Sequence, residues 1–313
     1  MNKFRYLLIA IALIAFVAHR AHASTWTPVK AKRGMVVTAQ HLATEVGLDI
    51  LRRGGNAVDA AVAVGYALAV VHPCCGNLGG GGFMLIHLAN GKNIALDFRE
   101  AAPLASKRKL FLDTDGKPFR NTIGKAPLKK ALKHAYVDVG VPGTVMGLNE
   151  ALKRYGTMTR QQVMAPAIRL ARYGYTLRTP DVKILDYRPT VFAATGNVSR
   201  IFLDHGRPYK AGERLVQRNL ANTLQKIARG GDKAFYEGSI AKAIVRSSQK
   251  NNGLLSMQDF KSYRVYSRKP IECNYRGYQI ITTPAPGSGI TLCEVLNIMS
   301  GYNVARLGFH KAK

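Results

Sequence analysis

The sequence has 313 residues, with 46 Lys or Arg against 18 Asp or Glu and a formal net charge of +28. A hydrophobic content of 47% excludes a disordered chain, and the length suits one large domain or two small ones. So large a positive excess raises nucleic acid or an anionic membrane as partners. The basic residues are nevertheless spread along the whole chain, with local clusters at Lys107-Arg108-Lys109 and from Lys125 to Lys133. No aromatic residues interleave with them as a single-strand binding face requires, so a solvated basic surface is expected and no nucleic-acid partner.

The chain opens with Lys3 and Arg5, then an unbroken apolar run of twelve residues from Leu7 to Ala18, then Ala21-His22-Ala23. That order predicts a secretory signal peptide over residues 1–23, cleaved after Ala23. The run is shorter than the roughly 18–20 apolar residues of a spanning helix, which leaves an uncleaved N-terminal anchor as the other reading. No later segment is apolar for long enough to span a bilayer. The mature chain is therefore expected to be exported, periplasmic or secreted, without stable membrane insertion. Loss of Lys3, Arg5 and Arg20 leaves it at +25.

Gly34 to Ala39 reads as a short strand. His41 to Arg53 carries apolar residues at helical spacing, Ala43, Val46 and Ile50, and Gly54-Gly55 ends it. Asn56 is placed to cap a second helix, Ala57 to Val71, whose Ala and Val content predicts burial on most sides. Phe83 to Leu88 and Asn93 to Asp97 flank Asn90-Gly91, a strong hairpin signal. Both faces of the first of these strands are apolar, which implies a layer on each side of the sheet.

Beyond the hairpin the pattern is mainly helical. Helices are expected from Thr144 to Arg154, after a Thr159–Gln162 capping box, and over Arg218 to Ala228, Ile240 to Gln249 and Thr291 to Ser300. Pro166 should kink or split the helix that contains it. Tyr275 to Thr282 reads as a strand, and Pro284 to Gly289 as a turn-rich break. The class is mixed α/β. Of the four cysteines, Cys74, Cys75, Cys273 and Cys293, none sits in a CxxC or a histidine spacing that suggests zinc. Export permits disulfides, adjacent Cys74 and Cys75 could pair only with strain, and buried apolar thiols are the default expectation.

Gly76-Asn77-Leu78-Gly79-Gly80-Gly81-Gly82 invites a phosphate-loop reading. A phosphate loop follows a strand and opens a helix; here the order is helix, loop, strand, and the Lys and Ser/Thr of a P-loop are missing. Glycines in this order suit a backbone that passes close to another layer or takes up positive φ.

The specific signal is a series of motifs in order. These are Gly55 to Ala61, His72-Pro73, Gly76 to Met84, Leu96 to Pro103, Val141 to Gly147, Tyr155-Gly156-Thr157, Ala165 to Ala171 and Ala234 to Gly238. Asn252 to Leu255 before Asp259-Phe260, and Tyr275 to Tyr278, complete it. Over residues 28–309 the chain resembles the N-terminal, large-subunit portion of the γ-glutamyltransferase (glutathione hydrolase) family. The resemblance implies an N-terminal-nucleophile hydrolase fold, a four-layer αββα sandwich, incomplete in this chain. It also implies a proenzyme that cuts itself into two subunits. The new N-terminal Thr of the small subunit attacks the γ-glutamyl carbonyl of glutathione or a similar compound, and its own α-amine can serve as base, so no metal or cofactor is implied.

Arg99, in Asp97-Phe98-Arg99-Glu100, is the substrate-binding residue that carries over, gripping the α-carboxylate of the γ-glutamyl group. A guanidinium suits that role because it meets a carboxylate in a planar, bidentate way. The competing reading is an arginine paired locally with Asp97 or Glu100.

No catalytic residue carries over. Thr282-Thr283 is followed by Pro284 and not by the family's Thr-rich nucleophile motif, and Pro284 to Gly289 departs from the family's Ser-Ser-Gly-Gly run. Gly287-Ser288-Gly289 is not a nucleophile elbow. Ser24, exposed by signal cleavage, has nothing around it to support a nucleophilic role. Residues 24–313 are therefore expected to be a large-subunit-like region truncated before the autoprocessing site, poorly soluble and inactive alone, with a separately encoded small subunit as the implied partner. Two other readings stay open: a related amidase acting on another γ-glutamyl or β-lactam side-chain amide, and a non-catalytic basic protein that binds polyanions.

Overall fold

A computed structural model describes residues 28–112, 116, 135–185 and 189–307. The signal-peptide region, Ser24 and the Lys125–Lys133 cluster lie outside them. By contacts the chain divides between Met35 and Val36. The described residues of the first unit carry no helix or strand, and the fold below is that of the second.

Helix α1 (His41–Arg52) is capped by Gln40, whose side chain accepts from the amides of Leu42 and Ala43. It buries Ala43, Val46 and Ile50. Helix α2 (Ala57–Val71) starts in a capping box in which Asn56 and Asp59 bond each other's backbone. Its Ala and Val faces pack against α1 and, further along the chain, against two more helices, as its composition predicts. The hairpin follows as β1 (Phe83–His87) and β2 (Asn93–Asp97), with Phe83 opposite Asp97 and Ile86 opposite Ile94. Gly91 takes φ 81° in the turn.

Helix α3 (Thr144–Tyr155) packs on α2 and β2, and α4 (Arg160–Tyr173) on α2. A section of short pieces follows: β3 (Tyr175–Thr176), α5 (Thr179–Leu185), α6 (Pro189–Ala193), α7 (Gly196–Phe202), β4 (Leu203–Asp204), β5 (Arg207–Pro208) and β6 (Arg214–Leu215). Helix α8 (Arg218–Tyr236) lies along α4, and α9 (Ser239–Lys250) and α10 (Met257–Ser262) lead into β7 (Tyr266–Arg268). Strand β7 pairs antiparallel with β2 and gives a sheet of order β1-β2-β7. The chain continues through a second hairpin, β8 (Ile271–Tyr275) with β9 (Tyr278–Thr282), to α11 (Gly289–Ser300) and α12 (Val304–Leu307).

Two buried polar devices pin the helices. The Asp59 carboxylate accepts from the amides of Asn56, Thr157 and Met158 and from the Thr157 hydroxyl, joining α2 to the α3–α4 turn. Tyr66 donates to Asn149 at 2.8 Å and Asn149 to Asp232 at 2.6 Å, joining α2, α3 and α8.

Several sequence expectations are corrected here. Gly34 to Ala39 belongs to no strand. Pro166 sits inside α4 without splitting it; it withholds one backbone bond, and the packing of Val163, Met164 and Ala167 against α2 and α8 holds the helix together. The helix expected over Arg218 to Ala228 ends close to that point: Gly231, at φ 60°, breaks the α8 span, and a second helical stretch continues to Tyr236. Tyr275 to Thr282 is not one strand: Arg276 and Gly277, at φ 50° and 84°, turn the chain and leave Tyr275 on β8. Strand β1 is covered on one face only, with Ile86 buried and Leu85 41% exposed.

The cysteines are not buried free thiols. Cys273 on β8 and Cys293 on α11 form a disulfide, which ties the second hairpin to its helix and is worth roughly 3 kcal/mol for a loop of this length. Cys74 and Cys75 are free and exposed. Helix α11 presents apolar side chains to solvent at Ile290, Leu292, Val295 and Ile298. No helix among the described residues is long and apolar enough to cross a membrane.

Candidate functional site

The sequence-derived site residue, Arg99, follows the C-terminal end of β2 and borders a cleft of about 250 Å³. Asp97, Glu100, Tyr263, Arg268 and Pro286 line the same cleft.

The backbone around Arg99 is fixed from several directions. Its amide donates to Asp97 Oδ1 at 3.0 Å, and its carbonyl accepts from the Tyr263 hydroxyl at 2.9 Å. Burial, with the charges of Asp97 and Glu100 adding to it, raises the Tyr263 pKa, so this hydroxyl stays a neutral donor. The glycine loop packs against the backbone on either side of Arg99. Gly82 and Phe98 exchange backbone bonds at 3.0 and 3.2 Å. A Cβ on Gly81 would stand 2.5 Å from the Phe98 carbonyl oxygen, so the loop reaches this place only as glycine. Gly80 O receives the amides of Gly143 and Thr144 at the start of α3. The glycines thus serve close backbone approach, and the loop runs into a strand, as argued above against a phosphate loop.

Asp97 is buried and committed. Its Oδ2 receives Arg268 Nε from β7 at 2.6 Å, while its Oδ1 holds the Arg99 amide. The Arg268 guanidinium also lies 5.1 Å from the centre of the Tyr266 ring. The Arg99 guanidinium therefore does not pair with Asp97; its Nη1 donates to the Pro286 carbonyl at 3.4 Å. Among the described residues no carboxylate lies within ion-pair distance of it. The local-pairing reading of Arg99 fails on this geometry: the aspartate beside it is neutralised by a different arginine. What results is an exposed guanidinium at a strand end, over a satisfied acid–base pair, open to an external anion.

Asp97, Tyr263 and Arg268 escaped the sequence reading as site residues. Arg268 meets Asp97 across 171 positions and Tyr263 meets Arg99 across 164, and no local spacing announces either contact. Tyr263 did carry a faint signal, since it closely follows the Asp259-Phe260 motif.

A mixed α/β scaffold presents the Arg99 guanidinium beside this cleft, with no carboxylate partner among the described residues. Residues 43–313 match the family model described as Gamma-glutamyltranspeptidase, and the chain belongs to that family. It is 46% identical over its whole length to a glutathione hydrolase proenzyme of Pseudomonas sp. (strain A14), covering 53% of that protein. It is 36% identical to an Acylase ACY 1 proenzyme of Pseudomonas sp. (strain V22), over 90% of the chain and 50% of that protein. The crystal structure of Helicobacter pylori γ-glutamyltranspeptidase, 41% identical, superposes with a TM-score of 0.84 over 91% of this chain and 80% of that one. The fold is thus that of the γ-glutamyltranspeptidases, N-terminal-nucleophile hydrolases, as the motif series implied. The chain spans about half the length of the curated relatives it matches.

Proposed function

We propose that this chain supplies the carboxylate-gripping part of an enzyme that cleaves the γ-glutamyl amide of glutathione or a related compound, and that Arg99 is the residue that grips. One observation carries the reading: the Arg99 guanidinium borders the cleft without a carboxylate partner among the described residues, while Asp97, next but one in sequence, is neutralised by Arg268. A planar fork of donors in that state suits a carboxylate, which it can meet in a bidentate way. The names of the relatives supply the substrate class, glutathione.

The reaction needs a nucleophile, and we place it on the part of the relatives that these residues do not span. On this reading residues 24–313 bind and orient the glutamyl end, the complementary segment attacks the amide carbonyl, and water or an acceptor amine releases the glutamate. The apolar faces of α11 and β1 are the surfaces that segment would cover. Export with cleavage after Ala23 belongs to the same reading, and the Cys273–Cys293 disulfide supports an oxidising destination. Mass spectrometry of the mature N-terminus checks it: Ser24 is expected first, and an intact Met1 would contradict cleavage.

The acylase relative favours a second reading, an amidase for a different acyl group. Two chromogenic anilides separate them, one γ-glutamyl and one identical but lacking the α-carboxylate. With the complementary segment present, the γ-glutamyl compound should turn over about 100-fold faster, as the loss of a charged bidentate contact requires. Equal rates would favour the acylase.

A further inference from the structure

A cluster of soft ligands lies outside the Arg99 cleft, where α2 ends. The linear order His72-Pro73-Cys74-Cys75 matches no zinc-ligand spacing, but the turn folds it back on itself. His72 N donates to Leu68 O at 2.9 Å, and the amides of Cys75 and Gly76 both donate to His72 O, at 3.1 and 2.8 Å. Asn77 Nδ2 holds Cys75 O at 3.1 Å. The result places His72 Nε2 3.2 Å from Cys74 Sγ, and Cys74 Sγ 2.7 Å from Cys75 Sγ. All three ligand atoms lie within 4.8 Å of one another.

We propose that His72, Cys74 and Cys75 form a site for one thiophilic d¹⁰ cation, Zn²⁺ or Cu(I), bound through the imidazole Nε2 and the two sulfurs. Metal–sulfur distances of about 2.3 Å and metal–nitrogen distances of about 2.0 Å put tetrahedral ligands roughly 3.5–3.8 Å apart. The nitrogen–sulfur spacing already approaches this. The two sulfurs must separate by about 1 Å, a side-chain rotation that exposed thiols on a turn can make. Three protein ligands leave a fourth position for solvent, and thiolate with imidazole selects a soft or borderline ion over Ca²⁺ or Mg²⁺. The location adds to the case. The site is at the C-terminal end of a fifteen-residue helix whose last turn carries no basic side chain, so its partial negative charge is available to a cation.

Two features set the expected behaviour. A cysteine binds metal as its thiolate, so the metal must displace protons and affinity must rise with pH. His72 Nδ1 is buried without a hydrogen-bond partner, so the ring lacks the outer acceptor that usually orients a metal-bound histidine. That omission costs roughly 10–100-fold in affinity.

The test uses the full chain, reduced and handled without oxygen. Zn²⁺ is titrated against a chromogenic chelator, Cu(I) against a Cu(I) chelator, and Co²⁺ is followed by its thiolate charge-transfer band. The expected result is one equivalent of Zn²⁺ or Cu(I), with proton release and at least 10-fold weaker binding in each of Cys74→Ser, Cys75→Ser and His72→Gln. The two chelator arms show which ion is preferred. Circular dichroism checks that each variant keeps the wild-type helix content; the two cysteine changes fall on exposed positions, and the half-buried His72 is replaced by a side chain of similar size. Binding that survives in the Cys74→Ser/Cys75→Ser double variant, no stoichiometric binding by the reduced wild type, or equal retention of Ca²⁺ would each overturn the proposal.

Discussion

Arg99 owes its availability to a competition that another arginine wins. Asp97 is near enough to bond the Arg99 amide, yet its second oxygen is taken by Arg268. In an enzyme reconstituted with the complementary segment, Arg99→Lys keeps the charge and loses the planar fork, so kcat/KM for a γ-glutamyl anilide should fall about 10- to 100-fold, mostly through KM. A change below 2-fold would remove Arg99 from the site. Tyr263→Phe deletes the donor to the Arg99 carbonyl and should lower unfolding stability by about 1 kcal/mol, measured by urea denaturation. Arg99 itself was legible because its motif is local: Asp-Phe-Arg-Glu at the end of a strand. Its supports were not, because Tyr263 and Arg268 arrive from the far end of the chain and contacts of that separation leave no periodic trace.

Elements announced by their own ends were readable, and those defined by distant partners were not. Asn56 and Asp59, and Thr159 with Gln162, form capping boxes whose residues lie three apart, so α2 and α4 could be placed from sequence. The Asn90-Gly91 hairpin carried its turn in plain view. Arg276-Gly277 is a weaker turn signal and was read through as one strand, and Gly34 to Ala39 has the pattern of a strand without a ladder. The α2 start also makes a stability prediction. Burial alone would raise the Asp59 pKa, but bonds from Thr157, Met158 and Asn56 outweigh it and leave the value below 3.8. A depressed carboxyl contributes stability that is present above its unfolded value and lost as pH falls through the lower folded value. Asp59→Ala should cost about 3 kcal/mol at neutral pH, since it strands buried amides. In urea melts across this range, the gap between wild type and variant should narrow below pH 3.8. A gap that stays constant with pH would show that the ionised carboxylate is not what holds the turn.

At the largest scale, the described residues of the second unit pack a buried core and leave apolar side chains exposed on one hairpin strand and one helix. Leu85 on β1 is more than 40% exposed, and so are Leu292, Val295 and Ile298 on neighbouring turns of α11, an exposed apolar patch unusual for a solvated surface. Replacing Val295 and Ile298 with Lys should reduce self-association of the isolated chain in light scattering and weaken its capture of the complementary segment; unchanged capture would move that interface elsewhere. Of the many basic residues that give the sequence its net charge, Arg99, Arg264 and Arg268 line the cleft. The central claim is that these residues grip the substrate and that the attacking group comes from elsewhere. The most direct test is turnover of a chromogenic γ-glutamyl anilide by purified residues 24–313, alone and mixed with the second half of the Pseudomonas sp. (strain A14) relative. No turnover is expected alone, and turnover in the mixture should fall at least 10-fold with Arg99→Lys. Hydrolysis by the isolated chain would contradict the claim.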